Sequence, residues 1–251
     1  MNDVTKVNRQ FRWTLILFII MIVSSIAAMI LANLFMRDEY QYIVHFAVLL
    51  FLLFLIIRFK NRFDQITNIS YIIKIRSHAG NPIKMVQTQK MNDYPSFLQK
   101  KDYVKFAQDK DHSLFYRITQ DEIKKIFRKH ILEVVVILSE NVDCFYLDQV
   151  NEEIGKIQQQ KDNIRFKMDR LLITQIKPIE DLTEKVKDEI KEIIFIKTTG
   201  ISLFLKSNTT IISTINVGLH QSSSNAVLLY SDTYSPSLYY KYHIDQIKKI
   251  L

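Results

Sequence analysis

From Trp13 to Met36 the chain reads WTLILFIIMIVSSIAAMILANLFM, 24 residues without a formal charge. A helix needs about 20 apolar residues to cross the roughly 30 Å hydrocarbon layer of a bilayer, so this run can span it with some tilt. A second run, Tyr42–Ile57 (YIVHFAVLLFLLFLII), has 16 residues, and Tyr40 and Phe59 extend it toward the same length. A secretory signal peptide carries an apolar stretch of only about 7–15 residues before its cleavage site. The first run exceeds that and is followed at once by the second. A long uncharged core helix is also a poor fit to a chain with four Gly and four Pro to fold around it. Joined by Arg37–Gln41, the two runs predict a tight transmembrane hairpin.

Charge then orients the hairpin. The formal net charge is +8 and the mean hydropathy is +0.00, but neither is evenly spread. Residues 1–36 hold Lys6, Arg9 and Arg12 against Asp3, while the short loop holds Arg37 against Asp38 and Glu39. Residues 58–90 hold Arg58, Lys60, Arg62, Lys74, Arg76, Lys84 and Lys90 against a single acid, Asp64. Residues 91–251 are close to neutral, with 23 basic and 22 acidic side chains. Lys and Arg flanking spans stay in the cytoplasm, so both termini are expected inside. The excess charge lies beside the membrane. It reads as a topology signal that can touch anionic lipid, and nucleic acid is not an expected partner.

Within the spans, Ser24, Ala28 and Ala32 recur every four residues, a spacing of small side chains that lets another helix approach closely. Asn33 and His45 are expected at similar depth near the outer face, where an interhelical hydrogen bond would satisfy both. Trp13, Arg58, Lys60 and Arg62 fall where side chains meet the headgroups. Beyond Arg58, Phe59, Phe63, Ile66, Ile69 and Ile73 keep helical spacing. The expected organisation is a cytosolic tail (1–12), the two-span hairpin (13–58), a basic juxtamembrane stem (59–76) and a cytosolic domain (77–251).

About 175 residues suffice for a domain with its own core. Pro95–Ser96 opens a predicted helix to about Gln108, and Thr119 with Glu122 fits a capping box starting a helix TQDEIKKIFRKH. Glu133–Ser139 (EVVVILS) and Leu171–Lys177 (LLITQIK) are β-branched runs of strand length, the second stopped by Pro178. Phe145, Val150, Ile154 and Ile157 mark one amphipathic helix; Leu182, Val186, Ile190, Ile193 and Ile194 mark another, with Gly200 as its cap. ISLFLK and TIISTINVGL suggest a hairpin about Ser207–Thr209, AVLLYS follows, and a last helix covers Leu238–Leu251. The fold class is thus α/β: a two-helix transmembrane hairpin followed by a cytosolic mixed-sheet α/β (α+β) domain.

Chemistry is harder to find. Gly80, Gly155, Gly200 and Gly218 are too dispersed for a phosphate-binding loop, and no G-x-S-x-G is present. Cys144 alone forms no internal disulfide or Cys-based zinc site, although His130 or His220 could approach it as a base. The histidines are scattered, Asp109–His112 (DKDH) is at most a loose cation loop, and neither metal nor cofactor is expected. Asp169, Gln175 and Lys177 form the sharpest catalytic candidate, since metal-dependent nucleases place an acid before a Q-x-K strand end. Six residues separate Asp169 from Gln175, short for the usual strand–turn–strand arrangement. Tyr234, Tyr239 and Tyr240, in a tyrosine-rich stretch with Tyr230 and Tyr242, suggest an interaction surface.

The expectation is therefore a bacterial-type inner-membrane protein whose cytosolic domain has an interaction or regulatory role, with a protein partner or a second copy. Its rivals are a membrane-tethered, metal-dependent, nuclease-like hydrolase and a ligand-gated oligomeric membrane effector.

Overall fold

A computed structural model describes residues 3–78, 83–86, 93–123, 129–142, 145, 148–161, 167–201, 207–220, 225–228 and 234–251. The chain divides into two compact units, residues 1–73 and 74–251.

The first unit is built from α1 (Asp3–Phe35) and most of α2 (Asp38–Ser77), helices of 33 and 40 residues. Both are long and apolar enough to cross a membrane, and only 11% of each apolar window is buried. A core helix of a water-soluble protein would hide that surface. Acidic side chains begin both helices and Lys74 and Arg76 close the second, matching the helix dipole. Ser24 and Ser25 donate to the carbonyls of Ile20 and Met21 at 2.9 and 2.8 Å, so neither hydroxyl needs water. Gln41 Nε2 donates to the Met36 carbonyl at 2.9 Å across the tight turn.

Aromatic contacts fix the antiparallel register of the pair. The Phe11 and Phe63 rings are 5.3 Å apart, and those of Phe18 and Phe59 5.0 Å apart. The residues of α1 that become buried are Val7, Thr14, Ser25 and Ala32, spaced by seven, eleven and seven residues, or whole numbers of turns. The four-residue stripe Ser24, Ala28, Ala32 drifts about 40° around the axis at each step, so it leaves the contact. Ala32 is buried, whereas Ser24 and Ala28 line an open groove of about 440 Å³ with Met21, Val44, Ala47 and Phe51. The region expected as a tail is helical from Asp3, and residues 59–76 continue α2 without a break.

The second unit is an α+β domain. Its elements are β1 (Ile83–Val86), α3 (Tyr94–Lys100), β2 (Val104–Gln108), β3 (His112–Gln120), β4 (Lys129–Leu138), α4 (Asp148–Lys161), β5 (Lys167–Ile179), α5 (Glu184–Lys191), β6 (Ile194–Ile201), β7 (Ser207–His220), β8 (Asn225–Leu228) and α6 (Leu238–Ile250). The described strands form one mixed sheet in the order β1-β8-β7-β5-β4-β3-β2. Strands β4, β5 and β7 run parallel; the other pairings are antiparallel. The long β7 holds β5 on one edge and both β6 and β8 on the other, β6 along Ser207–Thr214 and β8 along Val217–Leu219.

Alternation along the strands sorts the two faces. Leu132, Val134, Val136 and Leu138 of β4 and Leu171 and Ile173 of β5 join Val150, Ile154 and Ile157 of α4 and Ile190 of α5 in one core. Their neighbours in sequence, including Glu133, Arg170 and Thr174, point to the face under α6. Gly218 lets α5 approach β7: a Cβ there would lie 2.8 Å from Ile179 Cδ1 and 3.0 Å from Ile190 Cδ1. Gly218→Val is expected to cost about 1–3 kcal/mol through overpacking, read as a lower thermal midpoint of the full chain in detergent. An unchanged midpoint would show that the isoleucines yield freely.

Several local expectations change. The helix expected to reach Gln108 stops at Lys100, because Asp102 adopts a left-handed φ of 65°. The amide of Tyr103 then bonds to Leu98 O and that of Asp102 to Gln99 O, the paired bonds of a Schellman cap. VKFAQ emerges as edge strand β2. Thr119 belongs to β3 rather than a helix cap; Leu114, Tyr116 and Ile118 alternate with Phe115, Arg117 and Thr119 along it. Residues 124–128 of that expected helix lie outside the described residues. Pro178 does not end β5: pairing with β4 stops at Ile176, but pairing with β7 continues through Pro178 to Ile179. Helix α5 ends at Lys191, and Gly200 sits inside β6. The hairpin is therefore β6 with β7, while residues 202–206 lie outside the described residues.

Candidate functional site

Helix α6 organises the polar interior. Ser237 starts it by accepting the Tyr239 amide at 3.0 Å. Tyr239, Tyr240, His243, Ile244, Gln246, Ile247 and Ile250 are all buried, a wide inner face suited to lying across a sheet. Tyr239 and Tyr240, expected on an interaction surface, are thus interior; Tyr240 meets Phe195 edge-on at 5.8 Å. Tyr234 is half-buried, its ring 5.9 Å from that of His78. At the far end, the Tyr94 hydroxyl donates to the Ile250 carbonyl.

Three polar nodes lie between α6 and the strands. At the first, Glu133 of β4 receives Arg117 Nη2 at 2.6 Å, Tyr103 at 2.9 Å, Tyr242 at 2.9 Å and Thr119 at 3.4 Å. Arg117 supplies the counter-charge and also reaches Gln246 Oε1 at 3.3 Å. Burial and the neighbouring carboxylate raise the pKa values of Tyr103 and Tyr242, so both stay hydroxyl donors.

The second node centres on Arg170, 1% exposed. Its Nε lies 2.9 Å from Asp121 Oδ2 and donates to the Tyr239 hydroxyl at 3.0 Å. Its Nη1 lies 2.8 Å from Asp169 Oδ1 and 3.1 Å from the Thr209 carbonyl. Tyr239 in turn donates to Asp121. Burial, then this bond to Asp121, pushes the Tyr239 phenol up to about 12.

At the third node, His243 Nδ1 is 2.8 Å from Ser213 Oγ and Nε2 is 3.1 Å from Thr174 Oγ1. A serine and an imidazole at that distance resemble a nucleophile and its base. Two facts oppose that chemistry. Ser213 is 0% exposed, so no substrate reaches it, and burial drives His243 down to about 3. A base that weak takes up no proton near neutrality. The triad is a neutral, satisfied hydrogen-bond chain that pins α6 to β5 and β7.

The nuclease-like set does not converge. Asp169 and Gln175 lie on one strand, six residues or about 20 Å apart. One divalent ion cannot be shared over that distance. Asp169 pairs with Lys129 at 3.0 Å as well as with Arg170. Lys177 lies 3.7 Å from Glu189 and 5.7 Å from the centre of the Phe145 ring, while Gln175 is buried between β4 and β7. Asn216 uses its side-chain amide to hold the carbonyl of Glu189 at 2.9 Å near the end of α5. His112 bonds Glu153 at 2.8 Å, and no group of three metal-ligating side chains occurs among the described residues. Cys144 lies outside the described residues.

In the hairpin, Asn33 is exposed, turned about 100° from buried Ala32. His45 is half-buried and its Nε2 has no hydrogen-bond partner among the described residues, so the expected clasp is not formed. Trp13, Arg58 and Arg62 are exposed, and Lys60 lies 3.6 Å from Asp64. Among the described residues, Asp102, Tyr116, Arg117, Thr119 and Lys161 line an open cleft of about 470 Å³ with both signs of charge.

Glu133, Arg170 and His243 were not singled out as site residues from the sequence. The available signal was a charge inside an apolar strand, in HILEVVVIL and in DRLLITQI. No known family model, no curated protein and no solved structure matches this chain.

Proposed function

We propose that this protein is an integral membrane protein, anchored by a two-span hairpin with both termini in the cytoplasm, whose α+β domain is an interaction or regulatory module. The observation that carries the anchor is the exposed apolar length of α1 and α2. In water, so many exposed Leu, Ile and Phe side chains would drive aggregation; in a bilayer they meet their own solvent. The orientation rests on the basic residues flanking the spans and the acidic Asp38–Glu39 in the turn. The non-catalytic reading is supported by the polar nodes under α6, whose strongest candidate nucleophile is sealed.

Alkaline carbonate should leave the chain in the membrane pellet and detergent should release it. In a Cys144→Ser background, a membrane-impermeant maleimide should label Glu39→Cys on intact cells. Lys110→Cys, in an exposed turn of the domain, should label only after permeabilisation. The opposite pattern would invert the topology, and carbonate release would remove the anchor. Native mass in mild detergent should show an oligomer or a stoichiometric partner; a lone monomer would remove the interaction role.

A further inference from the structure

We propose that the paired helices carry a collar selective for anionic lipid headgroups, formed by Arg9 and Arg12 of α1 with Arg58 and Arg62 of α2. The inference rests on the membrane-spanning reading above and adds to it the class of lipid that the hairpin recruits.

Register brings the four together. The contact of Phe11 with Phe63 places Arg12 level with Arg62, and that of Phe18 with Phe59 places Arg58 about seven residues deeper than Arg12. From Arg9 to Arg58 the band is about ten residues deep, roughly 15 Å at 1.5 Å per residue. A headgroup layer is thinner, about 5–8 Å per leaflet, and the long arginine side chains bridge the difference by reaching toward it along the helix axis.

The band is also chemically selective. All four arginines are exposed, and none has a carboxylate within 4.0 Å among the described residues. The nearest acid in sequence to Arg62 is Asp64, already held by Lys60 at 3.6 Å. A guanidinium offers a planar fork of donors that fits phosphate oxygens two at a time. Zwitterionic headgroups also carry phosphate, but their attached cation opposes the collar. Phosphatidylglycerol has no such cation. Charge complementarity therefore assigns the occupant to anionic lipid.

The chain contains its own reporter, since Trp13 is its single tryptophan, lies in the band and is 65% exposed. The full chain is reconstituted into phosphatidylcholine vesicles containing a minor fraction of brominated phosphatidylcholine or brominated phosphatidylglycerol. Quenching of Trp13 then gives the relative association of each lipid. A net gain equal to one arginine near the surface, about 1 kcal/mol, corresponds to about fivefold preference for the anionic lipid. That preference should fall toward one in Arg9→Gln/Arg12→Gln/Arg58→Gln/Arg62→Gln. It should also shrink in the wild type between 0.1 and 1 M salt, as the screening length drops from about 10 to 3 Å.

Equal quenching by the two lipids in the wild type overturns the collar while leaving the spans intact. A preference insensitive to salt overturns it also, without any need for the variant to insert. Absence of quenching by either lipid instead overturns the spanning reading beneath it.

Discussion

Arg170→Met lowers the thermal midpoint of the full chain in detergent by roughly 6–20 °C, the largest loss expected from any single substitution here. Removing one partner of a buried ion pair costs about 3–5 kcal/mol, and a domain of this size shifts by about 2–4 °C per kcal/mol. The magnitude follows from what the guanidinium leaves behind. Asp121 is 0% exposed and would lose its guanidinium counter-charge, while the Tyr239 hydroxyl and the Ile123 amide still donate to it. Asp169 retains Lys129 at 3.0 Å and suffers less. Combining Arg170→Met with Asp121→Asn should therefore recover part of the loss, because no uncompensated carboxylate remains at Asp121. A midpoint within 2 °C of wild type for Arg170→Met, or no recovery in the double variant, would show that this node does not hold α6.

Acid weakens the fold through His243, by about 2 kcal/mol between pH 7 and pH 5. The buried imidazole is held neutral down to about pH 3, whereas the unfolded chain protonates it near pH 6.5. The unfolded state therefore binds more protons between those values, and stability falls as pH drops through that window at up to about 1.4 kcal/mol per unit. Above about pH 6.5 this contribution is complete and flat. His243→Asn loses the bonds to Ser213 and Thr174, about 1–3 kcal/mol at neutral pH, but removes this slope. The five other histidines are common to both proteins, so the difference between the two curves isolates His243. Parallel urea-denaturation curves from pH 7 to pH 5 would mean that water reaches the ring.

Both effects arise at side chains whose partners are far away in sequence, which explains what could be read in advance. The hairpin was legible because a long uncharged run has few alternatives. Strands β4 and β5 were legible as cores of β-branched residues, although their ends were not. The last helix was legible in its bounds, while its Ser237 cap emerged only in the structure. The limit of β2 and the loss of the helix at Thr119 were not, because a Schellman cap with Asp102 at left-handed φ and the pairing of β3 with β4 outweigh local propensity. The stripe Ser24, Ala28, Ala32 and the pair Asn33 and His45 were displaced for a similar reason. A helix shows its partner only the residues that recur on whole turns.

The sequence by itself determined two apolar helices long enough to span a bilayer, the sign of charge beside them, and an α+β domain after them. These are properties of composition and short-range period, which act within one element. Only the tertiary structure decided that Glu133 meets Tyr242 across 109 residues, that Arg170 meets Tyr239 across 69, and that Tyr239 meets Asp121 across 118. It likewise carried Asp169 and Gln175 apart along β5, turned Tyr239 and Tyr240 inward, and matched Arg12 to Arg62. Such meetings depend on strand order and helix register, which no local pattern encodes. In a buried, low-dielectric interface a few ångströms separate a satisfied charge from one that unfolds the domain.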